Sequence, residues 1–87
     1  RKPYKNAKDN SQTTHFAFFE NYMSEKTKSH MNEYKYDDIQ KVFETGKYFF
    51  IFHNSESVSI VDKAHFSGDV ESFSGFIKTK TQYKKIK

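Results

Sequence analysis

Residues 47–62 read KYFFIFHNSESVSIVD, and this stretch decides the expected fold. Residues 48–52 are the most apolar run of the chain and are built from aromatic and β-branched side chains, which predicts a strand buried on both faces at the centre of a sheet. After the polar residues 53–57, Val58 and Ile60 alternate with serines. This alternation predicts a second strand that folds back antiparallel as a hairpin.

The composition favours a small domain rich in β-structure. A chain of 87 residues has room for one domain with one small core. It contains 10 Phe and 6 Tyr but no Leu, and aromatic side chains suit a pleated sheet better than a helical bundle. The lack of Cys excludes a disulfide scaffold and a cysteine zinc site, and it favours a reducing compartment.

Further strands and one helix are expected around this hairpin. Short apolar alternations separated by turn residues predict strands at 14–19, 22–28, 30–36 and 41–45. Near the C-terminus the period changes to that of a helix, capped by Ser67-Gly68-Asp69, with an apolar stripe made of Val70, Phe73, Phe76 and Ile77. We therefore expect an α+β fold: a bent, barrel-like antiparallel sheet of about five to six strands with one C-terminal helix packed on it.

The expected domain lies at residues 14–81, between a basic polar linker at 1–13 and a basic tail at 82–87. The chain begins with Arg rather than Met, so we expect it to be a piece of a longer protein. It contains no apolar run of about 18 residues and no signal-peptide pattern.

The net charge of +4 is unevenly distributed. The first ten residues carry the basic residues Arg1, Lys2, Lys5 and Lys8, and the last ten carry five Lys and no acid. Between them, residues 11–77 contain six Lys and ten carboxylates. An acidic body disfavours a broad nucleic-acid face. Basic ends are typical of a cytoplasmic segment beside a membrane, where Lys and Arg attract anionic lipid.

Four segments resemble the YcxB-like domain of low-GC Gram-positive bacteria, with the resemblance extending over residues 16–80. They are FFEN at 18–21, YDDIQKVFET at 36–45, YFFIF at 48–52 and IVDKAHF at 60–66. The resemblance implies the C-terminal cytoplasmic domain of a small bacterial membrane protein, usually preceded by two transmembrane helices. It also implies a relation to pleckstrin-homology-like folds, and a role that is uncharacterised.

The candidate metal ligands do not form a recognisable motif. His15, His30, His53 and His65 lack the i, i+4 or H-x-H spacing of a zinc site, so we interpret them as surface or hairpin-end residues. Asp37-Asp38 lacks the alternating oxygen ligands of a calcium loop and is interpreted as turn capping. We expect neither a metal nor another cofactor.

Catalytic residue types are present without a catalytic pattern. Ser55 or Ser57, with His53 and Asp62, supplies the residue types of a triad, but no nucleophile elbow accompanies them. Residues 48–52 could stack on single-stranded nucleic acid, yet only Lys47 flanks them, so burial is the favoured interpretation. We therefore expect no enzymatic activity.

Three lysines are candidates for contact with an anionic headgroup or phosphate if the fold is pleckstrin-like: Lys41, Lys47 and Lys63. Solvated lysines are the alternative interpretation. Together with the resemblance, these residues favour a non-catalytic module on the cytoplasmic face of the cell membrane, held there by segments elsewhere in the protein and acting in protein or lipid-headgroup interaction. The alternatives are a nucleic-acid-binding module that uses the basic tails, which the charge pattern disfavours, and a small-ligand-binding protein or hydrolase.

Overall fold

The computed structural model describes residues 3–86. It contains eight strands, one α-helix and two 3₁₀ turns. The strands are β1 (Lys5–Lys8), β2 (His15–Phe18), β3 (Tyr22–Lys26), β4 (Met31–Lys35), β5 (Lys41–Glu44), β6 (Tyr48–Asn54), β7 (Ser57–Asp62) and β8 (Tyr83–Lys85). The helix α1 (Val70–Lys80) lies between β7 and β8, and the 3₁₀ turns are Tyr36–Asp38 and Lys63–His65.

All eight strands belong to one sheet, in the order β4-β3-β2-β1-β7-β6-β5-β8. The pair β5 and β8 is parallel and the other pairs are antiparallel. The prediction of an antiparallel sheet with five to six strands is therefore wrong, since the sheet has eight strands and is mixed. The additional strands β1 and β8 lie within the segments predicted as linker and tail. Each is short and rich in Lys, and in β1 only Ala7 is buried, so neither shows an apolar alternation.

The sheet is bent between β1 and β7, which pair at a single position, Lys8 opposite Asp62. The ring of Tyr34 in β4 stacks on the imidazole of His53 in β6, with centroids 3.8 Å apart. Four strands separate β4 from β6 in the sheet order, so this contact requires the two halves to face each other. The sheet is nevertheless open, because its edge strands β4 and β8 do not pair with each other within residues 3–86.

Helix α1 fills the concave side of the bent sheet. Phe73 is fully buried, and its ring lies 4.5 Å from that of Phe18 and 5.1 Å from that of Phe49. The helix begins as predicted, with the Asp69 carboxylate accepting a hydrogen bond of 3.1 Å from the Glu71 backbone N–H. The single C-terminal helix is confirmed, and its predicted stripe faces the core: Phe73 and Ile77 are buried, while Val70 and Phe76 pack at its margin.

Burial of the central strand β6 is one-sided. Phe49 and Ile51 point towards α1 and are fully buried. The side chains of Tyr48, Phe50 and Phe52 point the other way and are only partly buried. The prediction that both faces of this strand are buried is therefore wrong for the second face, because the helix covers only one side of the sheet.

Candidate functional site

The uncovered side of β5, β6 and β7 forms a continuous apolar surface, which we call the aromatic face. Strand register aligns its side chains in rows: Phe43 lies beside Phe50, which lies beside Ile60, and Phe52 lies beside Val58. Val58 is 43% exposed and Ile60 is 39% exposed. The aromatic face consists of Lys41, Phe43, Tyr48, Phe50, Phe52, Val58 and Ile60.

Cations border the aromatic face. Lys41 Nζ lies 5.1 Å from the ring centroid of Phe43 and 5.2 Å from that of Phe52, so its ammonium group is held by two aromatic faces. On the other side of Phe43, the register partner in β8 is the exposed residue Lys84. The carboxylate in the same register as Tyr48 belongs to Asp62, which accepts a hydrogen bond from the Ala64 backbone N–H. Such a surface combines apolar area with positive charge.

The three lysines predicted to contact an anion do not converge. Lys41 begins β5 opposite Phe52, whereas Lys47 lies in the turn that follows β5. The backbone carbonyl of Lys47 accepts a hydrogen bond of 2.9 Å from the backbone N–H of Lys63, so these two residues are neighbours. The Lys63 ammonium group, however, lies 2.6 Å from both Glu44 Oε2 and the Thr45 carbonyl oxygen. Lys63 therefore serves an internal ion pair, and the contacts of Lys41 and Lys47 with an anion stay predictions.

Glu44 is the buried acceptor of this pair and is only 3% exposed. Its other carboxylate oxygen accepts a short hydrogen bond from the Tyr83 hydroxyl. Burial alone would raise the pKa of Glu44, but the hydrogen bonds from Lys63 and Tyr83 outweigh it and lower that pKa. Burial, together with the same hydrogen bond to Glu44, raises the pKa of Tyr83 to about 12. The cluster has a structural role, because the hydrogen bond from Tyr83 to Glu44 connects β8 to β5.

A second polar cluster spans the bend of the sheet. His53 Nε2 lies 2.7 Å from Ser59 Oγ, and the Ser59 hydroxyl donates a short hydrogen bond to Glu25 Oε1. Since the hydroxyl hydrogen goes to Glu25, Ser59 accepts from an Nε2–H of His53, and the buried Nδ1 of His53 has no hydrogen-bond partner among residues 3–86. Burial lowers the pKa of His53, although the Glu25 carboxylate opposes this.

This cluster differs from a catalytic triad in which residue the carboxylate contacts. In a triad the carboxylate orients the imidazole, whereas here Glu25 contacts Ser59 itself. Of the residues predicted as triad types, only His53 belongs to this cluster. Ser55 lies in the exposed β6–β7 turn, Ser57 begins β7 as an exposed residue, and Asp62 caps a 3₁₀ turn. Ser59 and Glu25 were missed in the sequence because they are 34 residues apart and meet only across the bend.

The remaining candidates are dispersed. His15 and His65 both line a small cavity of about 280 Å³ beside β1. His30 lies in the β3–β4 turn, and Asp37-Asp38 lies in an exposed 3₁₀ turn. Within the described residues, no group of three or more His, Asp or Glu side chains is arranged to hold a metal ion.

The basic residues predicted to lie near a membrane are only partly described. Lys5 and Lys8 belong to β1, and Lys5 Nζ lies 5.1 Å from the ring centroid of Tyr4. Arg1 and Lys2 lie outside the described residues, as does Lys87 of the predicted tail.

These features define a small α+β domain in which one helix covers one face of a bent, mixed sheet. The family model described as YcxB-like protein matches residues 18–79, which is more than half of the chain. The chain belongs to the YcxB-like protein family. No curated protein and no solved structure gives a significant match. Among residues 3–86, none of the helices has the length and apolar character needed to span a membrane.

Proposed function

We propose that this chain is a non-catalytic module that lies on the cytoplasmic face of the cell membrane and contacts anionic lipid through the aromatic face. The observation that carries the proposal is the position of Lys41, whose ammonium group lies over the rings of Phe43 and Phe52 on a sheet face that the helix leaves uncovered. A cation held on an apolar surface suits the surface of a bilayer, where anionic headgroups lie next to apolar acyl chains.

The physical basis is a combination of two weak attractions. Aromatic rings favour the headgroup level of a bilayer, and each Lys near an anionic surface contributes about 1 kcal/mol. Lys41 and Lys84 flank Phe43 in the register of β5 and its neighbours. We expect the two attractions together to give weak but measurable binding, which a membrane tether elsewhere in the protein, as the resemblance implies, would strengthen.

Non-catalytic action is the favoured form of this proposal. Ser59, which contacts both Glu25 and His53, is only 4% exposed, so its hydroxyl group is not presented to a substrate. The implied relation to pleckstrin-homology-like folds stays a prediction.

Vesicle co-sedimentation tests the proposal with matched charge variants. The 87-residue chain is expected to pellet with vesicles of phosphatidylcholine and phosphatidylglycerol, and much less with phosphatidylcholine alone. Lys41→Glu should reduce the bound fraction, whereas Lys78→Glu, which makes the same charge change on an exposed helix position, should reduce it less. Equal losses from the two variants would show that only net charge matters and would contradict a defined contact surface.

Apolar variants test the other half of the surface. Ile60→Ser removes an exposed side chain from the aromatic face, and Met31→Ser removes one from β4. Only the former should weaken vesicle binding. Tight binding of single-stranded nucleic acid that falls steeply with salt, without vesicle binding, would instead favour the nucleic-acid alternative, because stacked bases also suit aromatic rings bordered by Lys.

A further inference from the structure

A polar cleft lies between the β1–β2 loop (residues 9–14) and the β3–β4 turn (residues 27–30). Its volume is about 780 Å³. Two lysines and four residues with hydroxyl groups are among those that line it: Lys26, Lys28, Thr13, Thr14, Thr27 and Ser29. His15, the register partner of Lys26, also lines it. None of the described residues that line the cleft is a carboxylate, although the body of the chain at 11–77 is acidic.

The carboxylate of Asp9 in the β1–β2 loop accepts hydrogen bonds from other residues of the same loop. Asp9 Oδ1 accepts hydrogen bonds from the backbone N–H groups of Thr13 and Thr14, at 3.0 and 3.2 Å. Asp9 Oδ2 accepts hydrogen bonds of 3.1 Å from Ser11 Oγ and 3.3 Å from Thr13 Oγ1. Both carboxylate oxygens are therefore engaged in holding the loop closed, which fixes Thr13 and Thr14 at the wall of the cleft.

The opposite wall is fixed in a similar way. The Thr27 backbone N–H donates to the His30 carbonyl oxygen at 2.9 Å and closes the turn. His30 Nδ1 lies 3.2 Å from Thr27 Oγ1 and 3.3 Å from Ser29 Oγ. The hydroxyl groups of Thr27 and Ser29 are thus both gathered at the His30 imidazole.

The acid next to Lys26 faces away from the cleft. Successive residues of a strand point to opposite faces of a sheet, and Glu25 contacts Ser59 on the concave side. Lys26 is therefore directed to the other face, where it is exposed. The Glu25 carboxylate and the Lys26 ammonium group therefore lie on opposite faces of the sheet.

We propose that this cleft binds a phosphate group, held by the ammonium groups of Lys26 and Lys28 and by the hydroxyl group of Thr14. Phosphate is an acceptor with several oxygens, so it suits a site made of two cations and a hydroxyl donor. The same chemistry would bind a lipid headgroup or a soluble phosphorylated compound. The headgroup source rests on the proposed function, and it is favoured by position: Thr14 lines the cleft and also a cavity that Val58 and Ile60 of the aromatic face line.

Pyrophosphate titration followed by NMR tests the cleft without any membrane. Saturable shifts are expected in the amide signals of residues 12–15 and 26–29, and sodium chloride at equal ionic strength should not reproduce them. Lys26→Ala/Lys28→Ala should weaken binding by at least about tenfold. The matched variant Lys35→Ala/Lys78→Ala removes two other exposed lysines and should bind as the unchanged chain does. Absence of saturable shifts, or equal weakening by both variants, would overturn the proposal.

Vesicles then distinguish the two sources of phosphate. If pyrophosphate competes with phosphatidylglycerol vesicles and Lys26→Ala/Lys28→Ala loses vesicle binding, the cleft binds headgroups. If pyrophosphate binds but vesicle binding is unchanged in this variant, the cleft binds a soluble phosphorylated compound. Should pyrophosphate bind to a chain that never binds vesicles, the proposed membrane function fails while the cleft proposal stands.

Discussion

Lys63 and Glu44 form a buried ion pair, with Lys63 Nζ 2.6 Å from Glu44 Oε2. The pair connects the turn after β7 to the end of β5, and Glu44 extends the connection to Tyr83 in β8. One carboxylate thus joins three separate parts of the chain on one side of the sheet. Because it is buried, its stabilising effect depends on the partners that surround it.

Removal of the cation alone should be strongly destabilising. Lys63→Met leaves Glu44 buried without its cation, and we expect a loss of about 3–5 kcal/mol in the free energy of unfolding, measured by urea denaturation. The double variant Lys63→Met/Glu44→Met should recover much of the loss, since it also removes the buried charge. Lys78→Met is the control at an exposed position. A Lys63→Met loss no larger than the control's would contradict the assigned role.

Tyr83 predicts a loss of stability at alkaline pH. Its pKa is raised from 10.0 to about 12 by burial and by Glu44, so the unfolded chain releases this proton first. The stabilising contribution is therefore complete below pH 10 and is lost as the pH rises towards about 12. Tyr83→Phe, compared with Tyr4→Phe as an exposed control, should weaken this dependence in thermal unfolding. Identical alkaline profiles for the two variants would contradict the prediction.

His53 predicts a loss of stability on mild acidification. Burial lowers its pKa below 6.5, with the Glu25 carboxylate in opposition and Tyr34 and Ser59 as its other neighbours. The unfolded chain therefore takes up the proton first, and the contribution of His53 is present above pH 6.5 and lost as the pH falls. Urea denaturation between about pH 7.5 and 5.5 avoids most carboxylate titration. His53→Gln should flatten the profile, and His30→Gln in the exposed turn should leave it unchanged. A His53→Gln profile as steep as that of the unchanged chain would refute this.

Phe73 is the aromatic anchor of the helix. Its ring contacts those of Phe18, Phe49 and Phe66 within 5.1 Å, and truncation of a buried Phe to Ala costs about 3–5 kcal/mol. Phe73→Ala should therefore unfold much of the population at ambient temperature, as measured by circular dichroism. Phe73→Leu keeps more of the volume and should remain folded with a lowered melting temperature. Equal melting temperatures for Phe73→Leu and the unchanged chain would count against close packing of the helix.

Local patterns in the sequence predict the elements that bury a periodic apolar stripe. The spacing of Val70, Phe73, Phe76 and Ile77 predicts the helix because each turn contributes a side chain to the core. Strands β1 and β8 could not be predicted in this way. β8 pairs in parallel with β5, although Tyr83 and Glu44 are 39 residues apart in the chain. This pairing depends on backbone hydrogen bonds rather than on an apolar pattern.

The candidate sites depend even more on distant contacts. Lys41, Lys47 and Lys63 were all predicted from local sequence as candidate contacts for an anion, but Lys63 pairs with Glu44, which is 19 residues away in the chain. The cleft requires β1 to pair with β2, since this pairing brings the 9–14 loop beside the β3–β4 turn. Because residues 1–13 were predicted as a polar linker, the wall of the cleft that the 9–14 loop forms could not be predicted.

Contact between Phe50 and lipid is the most direct test of the central claim. The chain has no Trp, so Phe50→Trp places a single reporter on the aromatic face, and Tyr4→Trp places one beside Phe76 on the helix side. With vesicles that contain phosphatidylglycerol and brominated acyl chains, fluorescence of the Phe50→Trp variant should be quenched, and that of Tyr4→Trp should be nearly unchanged. Strong quenching of Tyr4→Trp with none of Phe50→Trp, or quenching of neither, would contradict the account.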